Sequence, residues 1–212
     1  MSTGPNVASL FATPVVTLDV ADAAAMNGDL RTAIEQREKT NPCTRHSGTP
    51  HSDIGDWQSD REMDRWGGAA AIKLLAIGRN TANRVTSDRH GNAVTINWRA
   101  SMWASINRSG YGNEFRSHPG SFWSGVYYVD DSGIDVDPAL GGELEFMDPR
   151  GPGPAMYAPQ LAFGSAGLSV GANETIRPRS GRLVMFPAWL LHQVRPYTGK
   201  AERISIAFNL SL

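Results

Sequence analysis

The stretch "RISIAFNL", residues 203–210, alternates strictly between apolar side chains and polar or small ones. Because successive side chains of a β-strand point to opposite faces, its four large apolar residues share one face that suits a hydrophobic core: Ile204, Ile206, Phe208 and Leu210. The other face carries the guanidinium of Arg203 and the hydroxyl of Ser205 beside small residues, as a binding pocket would. Such a pair can hold a carboxylate, because the planar fork of an arginine bonds both oxygens. The alternative is an exposed face with a solvated arginine.

Further strands are predicted throughout the second half of the chain. The segments "AVTINWRASMWASIN", "SFWSGVYYV", "GELEFM" and "GRLVMFP" are rich in β-branched and aromatic residues and are separated by Gly, Pro or Asp turns. The first 90 residues contain an edge strand, "TPVVTLDV", and two stretches with helical spacing of apolar residues, from Ala23 to Ile34 and from Ala71 to Val85. This segregation predicts an α+β domain in which helices buttress one sheet of a β-barrel or sandwich.

The composition is that of an ordinary globular protein. With 212 residues, 41% hydrophobic and 19% charged, a single domain is expected. The formal net charge of −1 gives no electrostatic reason to expect nucleic acid or an anionic membrane as a partner. The single cysteine excludes an internal disulfide framework and a multi-cysteine zinc site. Together with the lack of a signal-peptide pattern or a long apolar run, it favours a cytoplasmic location.

Metal or acid–base chemistry must draw on five histidines and the carboxylates: the histidines are His46, His51, His90, His118 and His192. His118 lies within "EFRSHPGSFWSGVYYVDD", residues 114–131, just before a Pro-Gly turn and an aromatic strand. His192 follows "GRLVMFP" and precedes Arg203 by eleven residues, a hairpin length that can bring both onto adjacent strands of one barrel. Two converging imidazoles with open coordination positions suit non-haem iron. The turn-rich stretch 148–181 is a candidate lid over such a site.

The order of these motifs resembles a known family. An early-strand histidine, "SGVYYV", "GGELEF", "GRLVMFP", a distal histidine and "RIS" are similar to the Fe(II)/2-oxoglutarate-dependent oxygenases. The closer resemblance is to the bacterial and phage subgroup that reads roughly His-x-His-Pro-x-Ser-x-x-Ser-Gly-x-Tyr-Tyr. It covers essentially the whole chain and implies a double-stranded β-helix, a jelly-roll or cupin-like barrel, in residues 93–212. Residues 1–92 of the same single domain would supply an N-terminal strand and the buttressing helices.

The resemblance also implies how the cosubstrate, 2-oxoglutarate, would be held. Arg203 resembles the arginine that binds the distal carboxylate of 2-oxoglutarate, with Ser205 beside it. Tyr128 resembles a strand tyrosine that bonds the same carboxylate. Leu144, in "GGELEF", resembles an apolar residue that lines the cosubstrate pocket.

The implied Fe(II) ligands, and the implied catalytic residues, are His118 and His192. The subgroup has a histidine two residues before His118, and this chain has Arg116 there. A guanidinium stays protonated and cannot ligate. Three outcomes therefore stay open. Arg116 turns outward while water or a carboxylate completes the site, the metal binds weakly, or the pocket is a metal-free site for an acid. The candidate carboxylates are Glu114, Glu143 and Asp148.

The function implied by the resemblance is a dioxygenase that hydroxylates an unidentified small molecule or peptide and releases succinate and CO₂. The alternative is a non-catalytic, metal-poor module of the same fold that binds a carboxylate or another anion through Arg116 and Arg203. A metal-dependent isomerase or hydrolase of cupin-like architecture is disfavoured, because it would not need the pair formed by Arg203 and Ser205. The sequence leaves open whether the protein forms oligomers.

Overall fold

The computed structural model describes residues 11–41, 57–110, 112–152, 158, 160–161 and 173–212. Half of the candidate lid, together with His46 and His51, lies outside this part of the chain. Among the residues described, no helix combines the length and the apolarity needed to cross a bilayer.

Helices dominate the N-terminal part, as the apolar spacing predicts. Its elements are β1 (Val16–Asp19), α1 (Ala23–Thr40), β2 (Trp57–Gln58), α2 (Met63–Trp66) and α3 (Gly68–Val85). Helix α1 buries Met26, Leu30 and Ile34, which lie four residues apart and so share one face. Helix α3 buries a face of small and apolar residues in the same way.

Strands make up most of the rest of the described chain. They are β3 (Arg99–Asn107), β4 (Asn113–Arg116), β5 (Trp123–Asp130), β6 (Leu144–Phe146), β7 (Glu174–Ile176), β8 (Arg182–Pro187), β9 (His192–Val194) and β10 (Arg203–Ser211). A single turn of 3₁₀ helix, Pro138–Leu140, precedes β6. Strand β7 falls within the stretch whose turn-rich composition predicts only a loop.

These strands form two antiparallel sheets. The larger has the order β1-β8-β5-β10-β3-β2, and the smaller has the order β4-β9-β6-β7. From β3 onward the chain alternates between the two sheets, except that β6 and β7 follow one another in the smaller one. Strand β1 occupies the edge that its sequence predicts, whereas β2, at the opposite edge, was not predicted.

The larger sheet separates two apolar clusters. On one side the four large apolar residues of β10 pack with the buried faces of α1 and α3. Phe208 is central to this contact, because a Cβ added at Gly78 of α3 or at Gly125 of β5 would lie only 2.7 or 2.4 Å from its ring. On the other side, residues of both sheets form a second cluster that includes Tyr128, Leu144, Phe146, Val184 and Phe186. The predicted α+β class, with helices buttressing one of two facing sheets, is therefore confirmed.

Candidate functional site

The inner face of β10 carries polar side chains into the space between the sheets. Arg203 and Ser205 are buried, and they lie opposite Asn107 and Ser105 of β3 in the strand register. Ser205 also lies opposite Tyr128 of β5. The alternation of "RISIAFNL" thus has the two faces predicted for it, and the solvated alternative for Arg203 is excluded because that residue is only 2% exposed.

Arg203 is a buried cation with an unused donor. Its Nη1 donates a hydrogen bond of 2.6 Å to Oδ1 of Asn107, and its Cζ lies 5.2 Å from the centre of the Tyr128 ring. Its Nε is buried and has no hydrogen-bond partner among the described residues. A buried donor without an acceptor costs about 1–3 kcal/mol, and more when it is charged. The site is therefore suited to an anion.

Tyr128 and Leu144 complete this end of the inter-sheet space. Burial raises the pKa of the Tyr128 phenol, and the nearby Arg203 guanidinium offsets this only in part, so the phenol is neutral at pH 7 and can donate to an anion. Leu144 is buried in the same apolar cluster as Tyr128. The structure therefore brings together all four residues predicted to bind the cosubstrate; their role stays a prediction.

His118 and His192 lie side by side at the other end of the second cluster. Their ring centres are 5.1 Å apart, and the ring of Phe186 lies 4.6 Å from that of His192. The peptide N–H of His118 donates to the carbonyl oxygen of Ala188, which anchors the turn after β4 to the segment before β9. The eleven-residue spacing does not put His192 and Arg203 on adjacent strands, because β9 and β10 lie in different sheets. The pairing of β4 with β9 is what brings the two imidazoles together.

Both imidazoles have the protonation state that a metal ligand requires. Burial lowers the pKa of His118 to about 3, with further contributions from His192, Arg116 and Arg61. Burial also lowers the pKa of His192 to about 4, and Arg116 adds to this. The Nδ1 of His192 lies 2.9 Å from the carbonyl oxygen of Leu190, which can only accept, so Nδ1 carries the proton and Nε2 keeps a free lone pair. Metal-binding histidines commonly donate in this way through the nitrogen that does not ligate.

The spacing of the two rings is compatible with two ligands of one metal ion. Consider two imidazoles that each place one nitrogen about 2.1 Å from a shared metal ion. Their ring centres lie roughly 4.5–5.2 Å apart when the nitrogen–metal–nitrogen angle is between a right angle and a tetrahedral angle. The observed separation of 5.1 Å agrees. Among the residues described, however, no group of three or more His, Cys, Asp or Glu side chains could hold a metal. Glu114, Glu143 and Asp148 therefore do not join the pair, and Asp148 is instead in a salt bridge with Arg150.

Arg116 lies directly opposite His192 in the ladder between β4 and β9, and it is exposed. It forms no ion pair with another described residue, yet its charge reaches both imidazoles. Three residues that contact or influence the candidate site were not predicted from the sequence: Asn107, Trp103 and Arg61. The alternation along β3 could have placed the first two on the inner face, but Arg61 lies in a loop, where no periodicity marks it.

Comparisons with known proteins agree with this geometry. A family model described as "Putative 2OG-Fe(II) oxygenase" matches residues 101–209. A prolyl-4-hydroxylase from Pseudomonas putida superimposes with a TM-score of 0.62 at 16% identity, covering 95% of this chain and 94% of that one. HygX from Streptomyces hygroscopicus, solved with nickel and 2-oxoglutarate bound, gives a TM-score of 0.61 at 9% identity, covering 94% and 83%.

A prolyl hydroxylase from Trichoplax adhaerens, in complex with a peptide fragment of the hypoxia inducible factor oxygen degradation domain, gives a TM-score of 0.58 at 13% identity. That match covers 93% of this chain and 83% of the other. The search of curated proteins found no match. The structural similarities confirm the double-stranded β-helix expected from the sequence. Because the family model spans more than half of the 212 residues, the chain belongs to this 2OG-Fe(II) oxygenase family.

Proposed function

We propose that the protein is an Fe(II)- and 2-oxoglutarate-dependent dioxygenase that hydroxylates a small molecule or a peptide and releases succinate and CO₂. The observation that carries the proposal is the buried Arg203, whose Nε has no partner among the described residues and which lies beside Tyr128. A buried cation with a free donor is the counterpart of a carboxylate. Family membership and the histidine pair at the other end of the same space support the rest.

One carboxylate of 2-oxoglutarate would be bound at Arg203. The guanidinium, the neutral phenol of Tyr128 and the hydroxyl of Ser205 are all able to donate to it, and charge-assisted bonds of this kind are strong when buried. Phe186 belongs to the same apolar cluster as Tyr128 and also contacts His192, so apolar side chains of one cluster connect the arginine end with the histidine pair. These apolar side chains would exclude water from the bound molecule.

His118 and His192 would hold Fe(II), with the free Nε2 of His192 as one ligand atom. Iron held there would supply the O₂ chemistry that couples oxidation of 2-oxoglutarate to hydroxylation of a C–H bond, which no side chain can supply. The atoms balance: substrate, 2-oxoglutarate and O₂ give hydroxylated substrate, succinate and CO₂. The protein's part is to keep both imidazoles neutral, to orient 2-oxoglutarate through Arg203 and to exclude water.

The second candidate is a non-catalytic module of the same fold that binds an anion. It is favoured by one observation, namely that no third metal-binding side chain joins the histidine pair among the described residues, while the cation Arg116 lies opposite His192. The proposal includes both a small molecule and a peptide, because one structural relative was solved with a peptide and HygX was also solved with hygromycin B bound.

Succinate release separates the two candidates. The protein would be incubated aerobically with Fe(II) and 2-oxoglutarate, and succinate would be quantified against an iron-free sample and a His192→Gln variant. The proposal predicts succinate above both controls, even without the natural substrate. If the wild type binds 2-oxoglutarate but releases no more succinate than the iron-free sample, the anion-binding module replaces the enzyme.

A further inference from the structure

The guanidinium of Arg61 lies over the ring of Trp103, next to the histidine pair. Its Cζ is 4.4 Å from the centre of the Trp103 ring, a distance typical of a cation–π contact. The same ring lies next to the site, because the rings of Trp103 and His118 have centres 6.0 Å apart. The backbone is fixed as well, since the carbonyl oxygen of Arg61 accepts a bond of 3.0 Å from the peptide N–H of Met102 in β3.

Arg116 approaches the same pair from the smaller sheet. Its Cα is paired with that of His192 across β4 and β9, and it precedes His118 by two residues. As whole residues Arg61 and Arg116 are exposed, unlike the buried Arg203, although the Arg61 guanidinium itself is partly buried. The two cations therefore lie near the histidine pair, Arg116 from β4 and Arg61 from the loop between β2 and α2. The pKa of Arg61 agrees with this closeness, because it is lowered first by burial and then by the charge of Arg116.

Neither cation is neutralised within the part of the chain that the structure describes. The acids next to Arg61 along the chain have other partners, since Asp60 pairs with Arg37 and Glu62 pairs with Arg65. Glu114, two residues before Arg116, has an interaction of its own. The charge of Arg116 acts on Arg61, and an anion bound near both would relieve this repulsion between like charges.

We propose that Arg61 and Arg116 form an anion-binding subsite beside the histidine pair, which binds a phosphate, sulfate or carboxylate group of the substrate. This inference rests on the proposed function, because it concerns the substrate of the same site. The subsite is separate from that of 2-oxoglutarate, whose carboxylate would be bound by Arg203 between the sheets. A subsite formed by Arg61 and Arg116 narrows the proposed substrate to an acidic small molecule or an acidic peptide.

Titration of the metal-free full chain with inorganic phosphate, followed by calorimetry, tests the inference. We expect Arg61→Gln and Arg116→Gln each to weaken phosphate binding about tenfold, and the double variant to abolish it, because each removes one charge-assisted contact. All should bind 2-oxoglutarate as the wild type does. The matched control is Arg84→Gln, at an exposed position in the last turn of α3, which should leave phosphate binding unchanged.

The titrations distinguish a failure of the anion-binding subsite from a failure of the proposed function. If the wild type binds phosphate no more tightly than the double variant, the subsite does not exist, whatever happens with 2-oxoglutarate. If phosphate binding is lost in Arg203→Gln and kept in the double variant, phosphate occupies the cosubstrate pocket and the inference is overturned. If phosphate binds as predicted while the wild type does not bind 2-oxoglutarate, the subsite stands and the proposed function fails. Equal thermal unfolding midpoints would show that the two exposed substitutions leave the fold intact.

Discussion

Arg203→Gln is the substitution that bears most strongly on the cosubstrate pocket. In the folded protein Nη1 of Arg203 is already engaged by Asn107, and Nε is buried without a described partner, so Nε is a donor that 2-oxoglutarate can gain. Glutamine keeps a polar group but removes the charge and the planar fork.

The expected loss follows from burial. Removing one side of a buried, charge-assisted pair costs about 2–5 kcal/mol, because the carboxylate is then left without its counter-charge. At about 1.4 kcal/mol for each factor of ten, this corresponds to a dissociation constant that is roughly 30-fold to several-thousand-fold weaker. A solvent-exposed arginine would give far less, and Arg203 is only 2% exposed.

The assay is anaerobic calorimetric titration of 2-oxoglutarate into Fe(II)-loaded wild type, Arg203→Gln and the control Arg84→Gln. The control should bind like the wild type, because Arg84 is exposed at the end of α3. A dissociation constant for Arg203→Gln within about threefold of the wild type would refute the assignment of Arg203, since it corresponds to less than 1 kcal/mol.

Three further perturbations test other parts of the account. Arg116→His should tighten Zn²⁺ or Fe(II) binding, because it adds a third imidazole and removes a cation; unchanged metal affinity would show that position 116 is not a vacated ligand position. The unfolding free energy of the metal-free protein should fall as the pH is lowered from about 6.5 towards 4. The folded-state pKa values of His118 and His192, about 3 and about 4, lie below the unfolded value, so the unfolded chain binds more protons in that pH window. The double variant His118→Asn/His192→Asn should lose less unfolding free energy over the same window. An equal loss in the variant and the wild type would contradict this prediction. Gly125→Ala should lower the unfolding free energy by about 1–3 kcal/mol, because the new Cβ would lie 2.4 Å from an aromatic ring of β10. Gly28→Ala, where no atom lies within 4 Å, should be neutral or stabilising in the same denaturant titration.

The sequence predicted which side chains share a face of each strand better than it predicted which strands pair with one another. Alternation along "RISIAFNL" correctly separated the core face of Phe208 from the pocket face of Arg203, because side-chain direction in a strand depends only on local geometry. It did not reveal that Asn107 binds Arg203, since strand pairing is set by the register of distant segments. The short strand β2 was missed because two residues give no usable period.

The candidate site shows the same difference between local features, which the sequence predicted, and contacts between distant segments, which it did not. His118 and His192 were selected from their positions beside predicted strands and from the motif resemblance, whereas their separation of 5.1 Å depends on the pairing of β4 with β9. Arg61 was not anticipated at all, because it reaches the site from a loop by lying over Trp103. Contacts made by long side chains across elements leave no periodic trace in a sequence.

The central claim is that the Arg203 end and the histidine pair serve one bound molecule of 2-oxoglutarate. The measurement that tests it most directly is the affinity of the wild type for 2-oxoglutarate with and without Fe(II), under anaerobic conditions. The account predicts that Fe(II) tightens binding by about tenfold or more, and that 2-oxoglutarate tightens Fe(II) binding by the same factor, because such coupling is reciprocal. Equal affinity with and without Fe(II), or no binding in either condition, would contradict it.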